Sequence, residues 1–388
     1  MKSRSRLILD SIINASDNLL IVVPPFINSL LTAIALLMER FRRGLLTHIT
    51  LLTLESLDEL GDVISRYNSI LLIEPPTVIG INNLVNALNG RRVLIISREN
   101  IDWVNADALL EFNDSMPQFI WQLLNDELSQ ESMRFIEAAV SHEFYSIPDY
   151  NVSLFNGWTT TEPINYPALP GILRLPLSES LARSISPVIP GVTGNEAEAR
   201  SLVKAVSRRV DAMYGDLGED EVMTLLRYIG DFILRAGFRG DYLDKLVLMN
   251  RRWVGTNIDV LESILAIESQ LALWEYAGGL VNPIINPQSV KDVDNLITKY
   301  VGVISELMGQ LDREAITIGQ GYQLLTLIDR LCSIMSFKAE GRNRVFSTED
   351  GSAQVMCILS GDVPEADLVF RRNNYLIAVK GLRNDSQG

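Results

Sequence analysis

The first third of the chain alternates short, uninterrupted apolar runs with longer amphipathic stretches. Runs of leucine and β-branched residues of this length are typical of strands that are buried on both faces of a sheet. The amphipathic stretches between them predict helices, and strand–helix alternation at this spacing predicts a doubly wound parallel sheet in an α/β domain. We predict strands at residues 19–23, 46–54, 69–73 and 92–96, with a further strand at 106–112.

The pattern changes twice further along the chain. Residues 145–192 are rich in proline and glycine, which indicates an irregular segment that ends in a domain boundary near residue 190. Helical periodicity then dominates, with Thr256 as the predicted N-cap of a helix at 257–276. Short strands return near the C-terminus. We therefore predict an α/β domain at 1–190, a helical connector at 191–310 and a smaller α/β domain at 311–388.

Charge narrows the range of partners. The chain of 388 residues is 47% hydrophobic and carries 34 basic against 48 acidic side chains, a formal net charge of −14. A protein whose main task is to coat nucleic acid is usually basic, so bulk phosphate binding is not expected as the main role. A local basic patch stays open. The acidic surface serves either solubility or the choice of basic partners.

Cysteine and histidine usage bears on compartment and metal binding. Cys332 and Cys357 have no metal-binding or disulfide spacing, which fits a reducing interior. His48 and His142 are too few for a histidine-rich metal site. No apolar run reaches the roughly 18 residues of a membrane span. We expect a cytoplasmic protein without a membrane segment.

The loop after the first predicted strand is the most informative part of the sequence. In a doubly wound sheet, the loops at the carboxyl ends of the strands form the ligand site. Here the loop at residues 24–29 reads Pro-Pro-Phe-Ile-Asn-Ser and contains no acid, histidine or glycine. An active enzyme of this architecture would place ligands there, so the sequence predicts a site that has lost its chemistry.

The order of these elements resembles the DHH phosphoesterase superfamily over nearly the whole chain, and specifically its archaeal RecJ-like branch. Residues 28–30, Asn-Ser-Leu, stand where the family's first motif has Asp-Gly-Leu, and residues 97–99, Ser-Arg-Glu, stand where it has Asp-His-His. The resemblance implies a DHH-type doubly wound parallel sheet domain, a helical connector and a DHHA1-like C-terminal domain. It matches the family's metal-ligand positions to Pro24, Phe26, Asn28, Glu74, Ser97, Arg98, Glu99 and His142.

The reaction that this family implies is phosphodiester hydrolysis assisted by two Mn²⁺ or Mg²⁺ ions, each of which needs several oxygen or imidazole ligands. Pro24 and Phe26 have no ligating side chain, and Arg98 brings a positive charge to the expected position of a dication. We therefore predict no metal, no cofactor and no catalysis. Arg98 is expected either to pair with Glu74 or Glu99, and so to replace the metals as a cross-link between strand ends, or to remain solvated.

The DHHA1 domain handles nucleic acid in nucleases of this family, and residues 315–335 and 366–381 resemble that domain. The family's glycine-rich substrate motif is missing here. Several basic side chains near the last predicted strands either contact DNA phosphates or form only a solvated edge. They are Arg371, Arg372, Lys380 and Arg383.

In its domain order and its missing metal ligands, the chain resembles the catalytically degenerate, Cdc45-like branch of the family. Members of this branch join GINS and the MCM ring in the CMG replicative helicase. The resemblance implies a non-catalytic DNA replication factor that binds GINS and MCM at the fork, with single-stranded DNA as a further candidate contact. Such a factor would be cytoplasmic and associated with the nucleoid through the replisome. Two alternatives stay open, a Mn²⁺-dependent RecJ-type exonuclease or phosphodiesterase and a stand-alone single-stranded DNA binder.

Overall fold

The chain packs as two compact units. A computed structural model describes residues 4–14, 18–80, 82–124, 127–148, 150, 157–207, 209–247, 250–277, 279–313 and 315–381. Unit 1 comprises Met1–Val140, Glu314–Asp329 and Asn343–Gly388, and unit 2 comprises Ser141–Arg313 and Arg330–Arg342. The predicted domain boundaries near residues 190 and 310 stay a prediction.

The helices and strands are named here in chain order. They are α1 (Arg4–Ile13), β1 (Leu19–Val23), α2 (Ile27–Arg42), β2 (Thr47–Leu51), α3 (Leu57–Ser65), β3 (Ser69–Ile73), β4 (Val78–Ile79), α4 (Asn82–Leu88), β5 (Arg92–Ser97), β6 (Ala108–Glu111), α5 (Met116–Leu124), α6 (Gln130–Ser146), β7 (Thr161–Ile164), α7 (Leu177–Ala182), α8 (Glu196–Val206), α9 (Glu219–Arg235), α10 (Gly240–Val247), β8 (Asn250–Trp253), α11 (Val260–Ala272), α12 (Asn282–Ile285), α13 (Asp294–Met308), β9 (Ala315–Ile318), α14 (Leu324–Ser336), β10 (Arg344–Thr348), β11 (Gln354–Ile358), β12 (Leu368–Arg371) and β13 (Leu376–Lys380). The division between the units falls within α6 and α14.

The first sheet of unit 1 is parallel and confirms the predicted doubly wound arrangement. Its strands lie in the order β2-β1-β3-β5-β6, and each neighbouring pair is parallel. Every residue of β1 and β3 is buried, which explains why their sequences show no polar alternation. The order reverses direction between β1 and β3. In doubly wound sheets this reversal marks the crevice where ligands bind.

The second sheet of unit 1 combines C-terminal strands with one strand from the first part of the chain. Its order is β4-β12-β13-β11-β10-β9, and all neighbours are antiparallel except β9 and β10. Val78 and Ile79 pair with β12, although they lie between two predicted strands, in a stretch that was expected to be helical. This two-residue strand carries no periodicity of its own, so the sequence pattern did not reveal it.

Unit 2 is mostly helical, as predicted for the middle of the chain. Helix α11 is buried at all 13 of its residues and packs against α13. A short antiparallel pair, β7 with β8, was not predicted, because its residues lie in the proline-rich segment and in the region where helical periodicity dominates. The predicted N-cap of α11 is also wrong. Asp259, not Thr256, caps this helix by accepting a hydrogen bond from the Glu262 backbone N–H at 2.8 Å.

The cysteine prediction needs a correction. Cys332 and Cys357 are both buried and disulfide-bonded, although the sequence spacing indicated reduced thiols. Within the part of the chain that the structure describes, no helix is long and apolar enough to cross a bilayer.

Candidate functional site

The candidate site lies at the carboxyl ends of β1, β3 and β5, where the strand order reverses. The chain leaves β1 through Pro24 and Pro25, and Phe26 is the N-cap residue of α2. Glu74 directly follows β3 and adopts a left-handed backbone conformation with φ of 43°. Such a conformation is uncommon for a residue with a side chain, and it persists only where the surroundings hold it. Ser97 is the last residue of β5.

The Glu74 carboxylate is the centre of this site. It is buried, and it accepts a short hydrogen bond from the Ser29 hydroxyl. Its Oε2 also accepts from Arg372 Nη1 at 3.1 Å, while its Oε1 lies 3.4 Å from Arg98 Nε. Two guanidinium groups therefore share one buried carboxylate.

The Arg372 guanidinium fills the space between the strand ends and the second sheet. The side chain is only 8% exposed, and each of its three nitrogens has a partner. Nε donates to Asp329 Oδ1 at 2.9 Å, Nη1 to Glu74, and Nη2 to Asn28 Oδ1 at 2.6 Å. Its guanidinium carbon lies 4.3 Å from the centre of the Phe26 ring, a cation–π contact. Sequence reasoning left DNA contact or a solvated edge open for Arg372, and the burial of its side chain fits neither alternative.

Asp329 is held from a second side. The Tyr375 hydroxyl donates to its Oδ1 at 2.7 Å, in addition to the bond from Arg372. Burial, followed by the negative charge of Asp329, raises the pKa of Tyr375 well above its usual range. The phenol therefore stays protonated and acts as a donor. Because donors occupy Asp329 on two sides, this acid is a fixed anchor for Arg372.

The remaining positions near β1 are apolar or neutral. Phe26 is fully buried, and its ring meets Phe370 edge to face at 5.4 Å between centroids. Pro24 and Asn28 are buried too, and the Asn28 amide oxygen is used by Arg372. An aromatic ring therefore occupies a position for which the family resemblance implies an aspartate ligand.

Arg98 takes the first of its two predicted alternatives, because it pairs with Glu74 and is not simply solvated. Its Nη1 also donates to the backbone oxygens of Asn113 and Asp114 at 2.9 Å, and its guanidinium carbon lies 4.8 Å from the Phe112 ring centre. Glu99 is directed elsewhere and pairs with Arg371 at 3.2 Å. Ser97 is buried, and its hydroxyl accepts from the Glu99 backbone N–H at 3.4 Å.

His142 lies in unit 2, in a separate buried cluster. Its Nε2 accepts from Arg330 Nη2 at 3.0 Å, so this nitrogen carries no proton. Arg330 also forms two hydrogen bonds to Glu268, at 2.6 Å and 2.7 Å. Burial and the Glu268 charge raise the pKa of Tyr300 well above its usual range, and Tyr300 donates to the same carboxylate at 2.9 Å. The cluster ties unit 2 together internally.

The residues at the strand ends do not fit a pair of metal ions. Glu74 is the only carboxylate among the matched positions near β1 and β3, and two guanidinium groups already use it. In the described part of the chain, no group of three or more histidine, cysteine, aspartate or glutamate side chains is arranged to hold a metal ion. The positive charge of Arg98 and Arg372 opposes a dication at this position.

The other predicted DNA contacts lie at the surface. Arg371 is 53% exposed and paired with Glu99, and Lys380 is 54% exposed, with Nζ 3.8 Å from Glu365. Arg383 lies outside the described residues. Arg371 and Arg372 differ in burial because neighbouring residues of an extended chain face opposite sides, a signal that the sequence already contained. DNA contact through Arg371 and Lys380 stays a prediction.

Comparison with known proteins gives matches in structure but not in sequence. No protein-family model and no curated protein matches the chain. The fold is similar to that of CDC45 from Entamoeba histolytica, with a TM-score of 0.60, 12% identity, and coverage of 91% of this chain and 87% of that one. RecJ in complex with Mn²⁺ from Thermus thermophilus matches with a TM-score of 0.44, 12% identity, and coverage of 97% of this chain and 51% of that one.

These observations define the class of the protein at the level of fold. The five-stranded parallel sheet and the six-stranded, mostly antiparallel sheet of unit 1 form a DHH-type α/β fold, as the sequence resemblance implied. The particular protein CDC45 is similar in fold over most of both chains, which confirms the predicted resemblance in fold. At 12% identity the match concerns fold alone.

Proposed function

We propose that this chain is a non-catalytic DNA replication factor, an accessory subunit that binds GINS and the MCM helicase at the replication fork. The similarity in fold to CDC45 over 91% of the chain supports this role. The observation that carries the non-catalytic part is the placement of Arg372 and Arg98 on Glu74, at the strand ends where the related hydrolases would bind metal. The same geometry counts against the alternative of a Mn²⁺-dependent exonuclease.

The electrostatic repulsion between these arginines and a metal ion would be large. Two unit charges 4 Å apart interact by about 4 kcal/mol at the effective dielectric of a protein surface, and a dication doubles that figure. Each arginine would therefore oppose a metal ion at this position by several kcal/mol. Two-metal hydrolysis would also need ligands that the matched positions lack, since Pro24 and Phe26 supply no donor. A fold that has kept its architecture without this chemistry suits a role in assembly.

The proposed partners make a direct experiment possible. The purified chain, GINS and MCM are mixed after nuclease treatment, which removes DNA that could bridge them, and the mixture is separated by gel filtration. We expect the chain to elute with GINS as a stable complex and to join MCM when GINS is present. If the chain elutes alone in every mixture, the proposed assembly role is wrong.

A further inference from the structure

A cleft of about 490 Å³ opens at the surface of unit 1, next to the guanidinium groups of the candidate site. Its polar lining includes Arg98, Arg371, Arg372 and Asn373, which come from the end of β5 and from the β12–β13 turn. Its apolar lining includes Ile358 and Leu376. The cleft therefore presents cationic groups and aliphatic side chains to the same volume.

The charged residues in the described lining of this cleft are all cations. None of the described residues that line it is acidic, whereas the carboxylates that pair with its arginines, Glu74, Glu99 and Asp329, are not part of the lining. The Arg371–Glu99 pair is exposed on both sides. An exposed pair of this kind contributes at most about 1 kcal/mol, so Arg371 can exchange Glu99 for a carboxylate from outside at little cost.

Asn373 adds a second, independent observation. Its amide oxygen Oδ1 is shielded from solvent and has no hydrogen-bond partner among the described atoms. Buried polar atoms of folded proteins are nearly always paired, so this acceptor is free to bond a donor from outside once the Asn373 amide turns towards the cleft. A backbone N–H of a bound peptide supplies such a donor, whereas an ionised phosphate group offers only acceptors.

The aromatic content of the cleft argues against single-stranded nucleic acid. Proteins that bind single strands stack the bases on exposed aromatic faces. Tyr375 is the only aromatic residue among the described lining residues, and it is buried, with its hydroxyl bonded to Asp329. The cleft therefore lacks a stacking platform, although it has cations for the backbone.

We propose that this cleft binds an extended acidic peptide of a partner protein, in which carboxylate side chains alternate with aliphatic ones. The carboxylates contact Arg371 and Arg98, and the aliphatic side chains pack on Ile358 and Leu376. The Asn373 amide turns towards the cleft, where its Oδ1 accepts a hydrogen bond from a peptide N–H. This proposal rests on the cleft alone, so it does not depend on GINS or MCM as partners.

The test uses the full chain and a short fluorescein-labelled peptide of alternating aspartate and leucine, with binding followed by fluorescence anisotropy. We expect saturable binding that Arg371→Glu weakens about tenfold or more, because it replaces a charge-assisted hydrogen bond with repulsion. Asn373→Ala is expected to weaken binding about fivefold, the effect of one neutral hydrogen bond. Lys380→Glu is the matched control, since Lys380 is equally exposed in the same sheet but does not line the cleft.

Comparison probes decide the chemistry of the ligand. The same peptide with asparagine in place of aspartate should bind at least tenfold more weakly. Absence of peptide binding, or equal weakening by Arg371→Glu and Lys380→Glu, would overturn the proposal. Tighter binding of a 5′-phosphorylated oligothymidylate than of the peptide, lost in Arg371→Glu, would also overturn it and assign the cleft to nucleic acid. Competition by inorganic phosphate that equals competition by unlabelled peptide would reduce the site to a general anion site and refute the peptide proposal.

Discussion

Arg372 and Glu74 form a buried ion pair, with 3.1 Å between Nη1 and Oε2, although 298 positions separate them in the chain. The pair joins the end of β3 in the first sheet to the β12–β13 turn in the second. Arg372 also donates hydrogen bonds to Asp329 and Asn28. Its guanidinium therefore connects the β12–β13 turn with the end of β3, with α14 and with α2. The positive charge that binds the polar groups at these strand ends is therefore that of the Arg372 side chain, a part of the protein itself.

Removal of this cation is expected to destabilise unit 1 strongly. Arg372→Met keeps much of the aliphatic volume but removes one partner from Glu74 and one hydrogen-bond donor from Asp329. Breaking a buried, hydrogen-bonded ion pair by removing one partner costs about 3–5 kcal/mol. We expect a loss of this size in the free energy of unfolding, measured by urea denaturation.

The neighbouring arginine provides the control for this prediction. Arg371 is exposed, and its pair with Glu99 is at the surface, so Arg371→Met should change the free energy of unfolding by less than about 1 kcal/mol. Equal losses in the two variants would show that the burial of Arg372 has no energetic consequence, contrary to this account.

The second buried ion pair, in unit 2, allows a parallel prediction. Glu268→Gln leaves the Arg330 guanidinium without its carboxylate while both side chains are almost fully buried. We expect a loss of about 3–5 kcal/mol in the free energy of unfolding. Glu275→Gln removes the exposed Lys299–Glu275 pair and should cost less than about 1 kcal/mol. A small effect of Glu268→Gln would mean that the cluster around His142 is not a stabilising element.

The pH dependence of stability should report on the N-cap of α11. Burial, followed by the nearby charge of Glu262, raises the pKa of Asp259 well above its usual range. An acid whose folded-state pKa is raised stabilises the fold fully only below its unfolded-state pKa, and this contribution is lost as the pH rises through the folded-state value. Asp259→Asn removes the titration but keeps a side-chain oxygen that can accept from the Glu262 N–H.

We expect the free energy of unfolding to change with pH at different slopes in the wild type and in Asp259→Asn. Between the unfolded-state and folded-state pKa values of Asp259, wild-type stability should fall relative to that of Asp259→Asn by up to about 1.4 kcal/mol for each pH unit. Urea denaturation of both proteins at a series of pH values above about 4 measures this difference. Parallel curves would show that Asp259 does not carry a raised pKa in the folded protein.

The strands of the first sheet could be predicted from sequence because their signal is local. Uninterrupted apolar runs identified β1, β3 and β5, and the parallel arrangement followed from the helices between them. The Arg98–Glu74 pair could also be predicted, because the ends of neighbouring parallel strands meet at one edge of a sheet. The resemblance to the family then indicated which strand ends to compare.

Other features depend on contacts that no local pattern encodes. The role of Arg372 requires the β12–β13 turn to approach β3, and β4 exists only because β12 offers it a pairing edge. The same holds for the β7–β8 pair, whose strands lie far apart in the chain. The capping residue of α11 was predicted three positions too early, because both Thr256 and Asp259 satisfy the local capping rule. The Asp259 side chain is the one that also accepts from Gly171 N–H, at 2.8 Å.

Titration of the purified chain with Mn²⁺ by isothermal calorimetry tests the central claim most directly, namely that arginine side chains have replaced metal ions at the strand ends. We predict no stoichiometric binding, with heats that match dilution in both the wild type and Glu74→Ala. A tight site with defined stoichiometry that disappears in Glu74→Ala would contradict the claim, because the carboxylate held by Arg372 and Arg98 would then be a metal ligand.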